Sequence, residues 1–577
     1  MEKNSLVIRI GGEAGFGLAA AADILAKVFV RLGYHVFSSK EYASQIRGGH
    51  NYHTLRISPR PVLADADKVD ILLAFDKEAL HQHLPHLSAE SLILYDDKIQ
   101  KEDIPSSFSS FALPVQQIGI DFREKKVDNT IFLGAAIRCL GIDIKILDEI
   151  ITHFFSGKPA HIERNLHAAK KGYEIISSTK ISFVSSHPSK NTSSLSFLSG
   201  NDAVSLGALK AGLNFHVQYP MTPVSGILHY LSIESTKNKS LKVVQAEDEI
   251  AVINFALGAS FAGARAMTAT SGGGFCLMTE SVGLASMAEI PLVIIEGQRP
   301  GPSTGLPTKT EQGDLQFVLH AAPGDAPRVV LAPGDIDECY TETKRAFYLA
   351  EKYQLPVIVL LDKYQAESFK TFDLEKEELS LLLDFSQRWG IKEKVEEKEL
   401  LRGMFPRYVD QNSFQRTLPG TKQGMYTCAG DEHDETGEII EDRETRIRMM
   451  KRRMGKLNLI KAELPSNQIY GSENAELTVV VWGSTKGAAL EAVEKLNREG
   501  KKFNLLQIKY MCPFLEEQTQ KFLHQAKNLL LIENNYSAQL GSLIREQTGV
   551  EIKDKILRYD GKTFTVDEIY EELKKRC

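Results

Sequence analysis

Four short stretches in the middle of this chain combine residue types that handle anions and protons. In Tyr219-Pro220-Met221-Thr222-Pro223, one hydroxyl stands between two prolines where a β-like run gives way to a helical pattern. Thr222 reads as a helix N-cap with Pro223 at the first helical position, where its missing N–H costs nothing. A helix start also offers unpaired N–H donors and a partial positive charge, which favour a carboxylate or phosphate. Capping and ligand binding both stay open on this stretch alone. Next, Glu247, Asp248 and Glu249 crowd the first turn of a helix that continues as apolar "IAVINFALGASFAG". Acids there complement the helix dipole. Glu249 also leads straight into the apolar run, so it can point into an interface and share a proton with a ligand nitrogen.

A third stretch, "TATSGGGF", ends a buried-looking strand in Thr270-Ser271 and three glycines, Gly272 to Gly274, before a helix. A backbone without side chains can approach a flat or anionic ligand closely. Arg299 opens the fourth, "QRPGPSTGLPTKTEQGDL". Bidentate recognition of a carboxylate is the natural use of an arginine at a strand end.

The elements around these stretches must be α/β. "SLVIRIGGEAGFGLAAAADILAKVFVRLGYHVFSS" reads strand, glycine loop, helix, strand, and strand-like and helical runs alternate as far as about residue 178. A Ser-rich, aperiodic linker follows at 181–196. The rhythm restarts over 197–370, where "PLVIIEGQ" and "LPVIVLLD" are continuously apolar, as strands of a parallel sheet covered on both faces are. Residues 371–465 read as an irregular charged connection with an acidic "GDEHDETGE" loop, taken as solvated, and a basic helix "TRIRMMKRRMGKL". From 466 to 577 the βαβ rhythm returns. The expected fold is three α/β domains in series.

Composition narrows the function. With 577 residues, 43% hydrophobic, 25% charged and a formal net charge of −6, the chain has no overall basic field for nucleic acid. No apolar run is long enough to span a bilayer. Six scattered cysteines without a C-x-x-C pair build no metal or cluster framework and fit free thiols in a reducing cytoplasm. Histidine spacing supports no metal site, and G-x-S-x-G, Walker A and H-E-x-x-H are all missing. The loop with Gly12, Gly15 and Gly17 departs from the dinucleotide fingerprint, leaving a tight βα turn or a contact to some other anion. Arg47 in "QIRGGH" is a surface arginine or a phosphate or partner contact.

Taken together, "YPMTPVS", "QAEDEIAVINFALGAS", "TATSGGGF" and "GQRPGPSTGLPTKTEQGDL" resemble, in order and spacing, the α subunit of the 2-oxoacid:ferredoxin oxidoreductases. The N-terminal "GGEAGFG" and "SSKEYASQIRGGH" resemble that family's γ domain, here fused ahead of α. The resemblance implies a γ domain over 1–180, a thiamine diphosphate pyrimidine-binding domain over 197–370 and a transketolase C-terminal-like domain over 466–577. It implies that Glu249 bonds the aminopyrimidine ring, that Ser271, Gly272 and Gly273 line the cofactor, and that Tyr219, Pro220, Thr222 and Arg299 hold a 2-oxoacid carboxylate. Lys309, in the same loop as Arg299, becomes a candidate for a distal carboxylate, and Gly12, Gly15, Gly17 and Arg47 for coenzyme A or a partner.

No "GDG" element for Mg2+ and diphosphate exists in the chain. The resemblance therefore places Mg2+, the diphosphate site and a [4Fe-4S] cluster in a separate β subunit, with ferredoxin as acceptor and an (αβ)2 assembly. The implied reaction is coenzyme A-dependent oxidative decarboxylation, with 2-oxoglutarate favoured over pyruvate and branched-chain 2-oxoacids. A different thiamine diphosphate enzyme and a non-catalytic structural paralogue are the alternatives. Three positions depart from the family pattern: Gly274 where proline is frequent, Met221 where isoleucine is common, and Glu13 where glutamine is usual.

Overall fold

The computed structural model describes residues 5–44, 49–121, 128–177, 195–381, 383–409 and 414–576. It is α/β throughout, with three sheets, and its elements divide into two compact units.

The first unit comprises Met1–Leu198 with Ser368–Glu375 and Thr565–Glu572. Its eight-stranded sheet runs Ser109–Leu113, Leu87–Asp96, Val69–Ala74, Leu6–Glu13, His50–Ser58, His35–Glu41, Phe369–Asp373 and Leu195–Ser199. Leu6–Glu13 lies parallel to Val69–Ala74 and antiparallel to His50–Ser58, with Leu6 opposite Ile57. Its inward side chains Leu6, Ile8 and Ile10 join Leu25, Phe29, Leu133 and Ile137 from the covering helices in one core. Two of those helices, Asp128–Cys139 and Pro159–Ile175, cross at glycines. A Cβ on Gly172 would run into the Ile131 carbonyl, and one on Gly134 into that of Ala169. Most of the expected linker lies outside the described residues. Its last two, 195 and 196, instead open a strand of this sheet, and Phe369–Asp373 pairs antiparallel with His35–Glu41.

The second unit comprises Ser199–Glu367, Lys376–Phe564 and Leu573–Cys577. Its seven-stranded sheet has the order Tyr510–Cys512, Val329–Leu331, Pro356–Asp362, Leu292–Gln298, Ala266–Thr270, Phe215–Gln218, Lys242–Gln245. Six strands are parallel and Tyr510–Cys512 closes one edge antiparallel. Leu292–Gln298 and Pro356–Asp362 are buried along their whole length, which accounts for the apolar runs Leu292–Ile295 and Pro356–Leu361. A five-stranded sheet, ordered Gln468–Gly471, Phe503–Gln507, Leu477–Val481, Leu529–Glu533 and Asp554–Leu557, shares its core with the larger one. Val480, Trp482, Leu506 and Leu531 pack in the same cluster as Val330, Ile358 and Leu360.

The acidic loop near residue 433 is not a solvated one. Glu432 pairs with Arg446 and Arg453, Glu435 with Arg448, and Asp434 with Arg402, while His433 is fully buried. Spacing along the chain could not show that the basic helix Arg443–Glu463 folds back to neutralise this loop. From the same helix, Arg452 and Lys456 enclose the buried carboxylate of Glu289.

Candidate active site

The four stretches leave the C-terminal ends of neighbouring parallel strands, where ligands of open α/β sheets bind. Phe215–Gln218 leads into the Tyr219–Pro223 segment and Lys242–Gln245 into Glu249. Ala266–Thr270 leads into the glycines and Leu292–Gln298 into Arg299.

Thr222 does not cap a helix. The helix begins at Ser225 with Val224 as its N-cap and no side-chain cap. The Val224 N–H donates to the Met221 carbonyl at 3.0 Å, closing a turn over Thr222-Pro223. Two buried amides hold that turn, Asn201 bonding the Pro223 carbonyl at 2.9 Å and Gln218 the Val224 carbonyl at 3.1 Å. The Asn201 bond, from 22 residues away, is what the local N-cap pattern could not include. The Thr222–Pro223 peptide is cis. Gly297 lets the segment close onto the strand of Arg299, since a Cβ there would lie 2.6 Å from Val224 Cγ1. Arg299 Nη1 then donates to the Thr222 carbonyl at 3.0 Å. Tyr219 and Pro220 are exposed beside it.

Glu249 is the first residue of the helix Glu249–Phe261, whose N-cap is Asp248, accepting from the Ala251 N–H at 2.8 Å. Asp248 therefore takes the capping role, leaving Glu249 to turn inward at 5% exposure. Among the described residues its Oε1 is buried without a hydrogen-bond partner, and so is the Ser271 hydroxyl. Buried oxygens of this kind are normally satisfied, so these are set for a group brought from outside. Gly274 makes the close packing possible. A Cβ there would lie 2.7 Å from Glu249 Oε1 and closer still to the Thr270 hydroxyl. Gly273 is exposed and faces open space. A cofactor carrying a protonatable ring nitrogen fits this donor and acceptor set.

Two acids that the motifs did not single out stand behind Arg299. Glu296, opposite Thr270 in the sheet register, is wholly buried, and Asp314 lies against it. Burial, and then Asp314 and Cys276, push Glu296 well above the usual carboxylate range. Burial raises Asp314 to about 6, opposed by the Glu296 contact and by Arg299. Burial lowers Arg299, while Asp314 and Glu296 work to keep it charged. The sequence signal was an acid inside the otherwise apolar strand "PLVIIEGQ".

The loop from Arg299 is anchored at its far end by Gln312. Its backbone N–H bonds the Asn534 carbonyl at 2.7 Å and its side-chain amide the Trp482 carbonyl at 2.9 Å. Lys309, within that loop, packs its stem against Gly561. In the first unit, Gly12 lies inside a strand against Phe75, and Gly15 and Gly17 take left-handed backbone angles of φ 106° and 74°. Gly17 opens the helix Leu18–Arg31 with its carbonyl bonded by Asn129 at 3.2 Å. Arg47 lies outside the described residues. Among the described residues no group of acids, histidines or cysteines is arranged to hold a metal ion, and no helix is long and apolar enough to cross a membrane.

Comparison with known proteins agrees with this architecture. Residues 206–452 match a family described as pyruvate flavodoxin/ferredoxin oxidoreductase, thiamine diphosphate-binding. Residues 7–175 match pyruvate ferredoxin/flavodoxin oxidoreductase, and 475–569 match core domain II of pyruvate:ferredoxin oxidoreductase. A 2-oxoacid:ferredoxin oxidoreductase α subunit of Sulfolobus is 33% identical over 98% of this chain and 96% of its own length. The 2-oxoglutarate oxidoreductase subunit KorA of Mycobacterium tuberculosis is 28% identical over 98% of the chain and 90% of its own. A solved 2-oxoglutarate:ferredoxin oxidoreductase of Magnetococcus marinus, with 2-oxoglutarate, coenzyme A and succinyl-CoA bound, superposes with a TM-score of 0.90. It is 31% identical, and the match covers all of both chains. The fold and these matches thus define an α/β oxidoreductase with a thiamine diphosphate-binding domain. The chain belongs to the α-subunit family of the 2-oxoacid:ferredoxin oxidoreductases.

Proposed function

We propose that this chain is the γα-fused subunit of an enzyme that oxidatively decarboxylates a 2-oxoacid with coenzyme A, 2-oxoglutarate being favoured. The observation that carries the reading is the meeting of Arg299 and Thr222 at the same end of the sheet as the buried Glu249, whose Oε1 has no hydrogen-bond partner among the described residues. Bound thiamine diphosphate supplies the carbon nucleophile and electron sink. Glu249 holds a proton between its Oε1 and a ring nitrogen of that cofactor, at a site whose burial strengthens the bond. Ser271, Gly272 and Gly273 give it a close backbone and hydroxyl wall. Arg299 receives the substrate carboxylate by charge-assisted hydrogen bonds, and Thr222 sets the other side. An arginine cannot give its proton away, so the carboxylate stays ionised and oriented for loss as CO2.

The relatives named for 2-oxoglutarate support that substrate, and Lys309 is the proposed partner of its distal carboxylate. The chain has no "GDG" element and no clustered cysteines. This supports a β subunit that brings Mg2+, the diphosphate site and a [4Fe-4S] cluster, passes electrons to ferredoxin and assembles as (αβ)2 in the cytoplasm. Co-expression with such a subunit and a panel of 2-oxoacids tests the proposal. Coenzyme A-dependent reduction of ferredoxin or a viologen by 2-oxoglutarate is expected. Turnover of pyruvate or branched-chain 2-oxoacids in its place would move the substrate assignment, and no turnover would favour a structural paralogue.

A further inference from the structure

The Glu296 and Asp314 carboxyls have no role in the reading above, yet their placement is costly unless they do something together. Glu296 is completely buried, and neither oxygen receives a hydrogen bond of ordinary geometry among the described residues. What faces it is a second carboxyl, Asp314, on the loop that begins at Arg299. Two carboxyls in contact cannot both be ionised in a dry site. One proton between them removes the like-charge repulsion and gives one Glu296 oxygen a partner, because a protonated Glu296 is a donor and Asp314 an acceptor. Asp314 is the better place for the negative charge. Its Oδ2 lies 2.5 Å from the Cβ position of Gly272, over the start of the helix Gly272–Met287, and its own backbone N–H bonds Gln298 at 3.0 Å.

We propose that Glu296 and Asp314 form a one-proton carboxyl pair that sets the charge behind the Arg299–Thr222 anion site, so that binding a substrate carboxylate draws one proton onto Asp314. This rests on the reading of Arg299 as the carboxylate-binding group. The charged and titratable groups facing the pair are Arg299 from the strand end, Cys276 from the glycine-led helix and Glu311 from the loop. Arg299 keeps its charge across the working range, and Glu296 holds its proton, so Asp314 is the member that changes. An incoming carboxylate adds negative charge beside Asp314 and raises its proton affinity. By linkage, substrate affinity then falls as pH rises above about 6, because the proton must be found from a more dilute supply.

The pair itself is tested by infrared difference spectra of the full-length chain near pH 7, wild type against Glu296→Gln. A protonated-carboxyl band present in the wild type and lost in the variant is expected. Equal spectra in that region would overturn the pair, whether or not the enzyme acts on 2-oxoacids. The coupling is tested in the assembled complex by the pH dependence of KM for 2-oxoglutarate. KM should rise up to tenfold per pH unit above about 6 in the wild type. Glu296→Gln, which copies the protonated acid, should keep that slope, while Asp314→Asn should flatten it. A flat wild-type profile, or an unchanged slope in Asp314→Asn, would overturn the coupling. A complex that turns over no 2-oxoacid would instead remove the functional reading and the coupling with it, leaving the infrared result to decide the pair.

Discussion

Arg299 and Thr222 are joined by a 3.0 Å hydrogen bond from the guanidinium to a backbone carbonyl, across two strand ends that are 77 residues apart in sequence. This bond holds the arginine in one orientation before any ligand arrives. Replacing Arg299 by lysine keeps the charge but loses the planar fork. A hydrogen bond to a charged group contributes about 1.5–3 kcal/mol, so kcat/KM for the 2-oxoacid should drop roughly 10- to 150-fold. Steady-state kinetics of Arg299→Lys checks this, and a loss under about threefold would remove Arg299 from the carboxylate.

Glu249→Gln removes the proton partner but keeps the volume. Turnover should fall by about 10²–10⁴, the range for a lost general acid–base group, while thiamine diphosphate still binds. Gly274→Ala approaches the same group from the other side. Its methyl would collide with Glu249 and Thr270, at a cost of about 1–3 kcal/mol of overpacking in stability. Activity should fall further than that stability loss explains, since Glu249 itself must move. Calorimetric melting beside kinetics separates the two effects.

Glu289 predicts a pH dependence of stability. Burial alone would push its carboxyl up, but Lys456, Arg452 and Arg407 outweigh that and hold it at about 2. A folded-state value below the unfolded one contributes stability that is complete above about 4.5 and lost as pH falls toward 2. Glu289→Gln leaves buried cations unpaired, so about 3–5 kcal/mol of destabilisation is expected near pH 7. The gap to wild type should narrow below about pH 4, read as converging Tm values in acid.

Gln312 ties the arginine loop to Asn534 and Trp482 of the smaller sheet's domain. Gln312→Ala should raise KM through a looser loop while kcat changes less. Equal loss in kcat and KM-independent inactivation would instead mark a general folding defect, visible as a lowered Tm.

Much of this was legible in the sequence because strand ends write their chemistry locally. Continuous apolar strands, the glycine run and Arg299 after "VIIEGQ" all report the geometry of one residue and its neighbours. Thr222 was misread for the same reason. Its N-cap pattern was sound locally, but Asn201 holds the turn from the preceding helix, 22 residues away. Glu296 and Asp314 are 18 residues apart and acquire meaning only when the loop returns to the strand. The acidic loop at Glu432 was likewise unreadable without the helix that neutralises it.

The role of Glu249 in 2-oxoacid oxidation is read most directly from coenzyme A-dependent electron-carrier reduction by the chain co-purified with a β subunit and supplied with 2-oxoglutarate. Reduction that needs thiamine diphosphate and fails in Glu249→Gln is expected. Near-normal reduction in Glu249→Gln, or none in the wild type with any 2-oxoacid, would contradict that role.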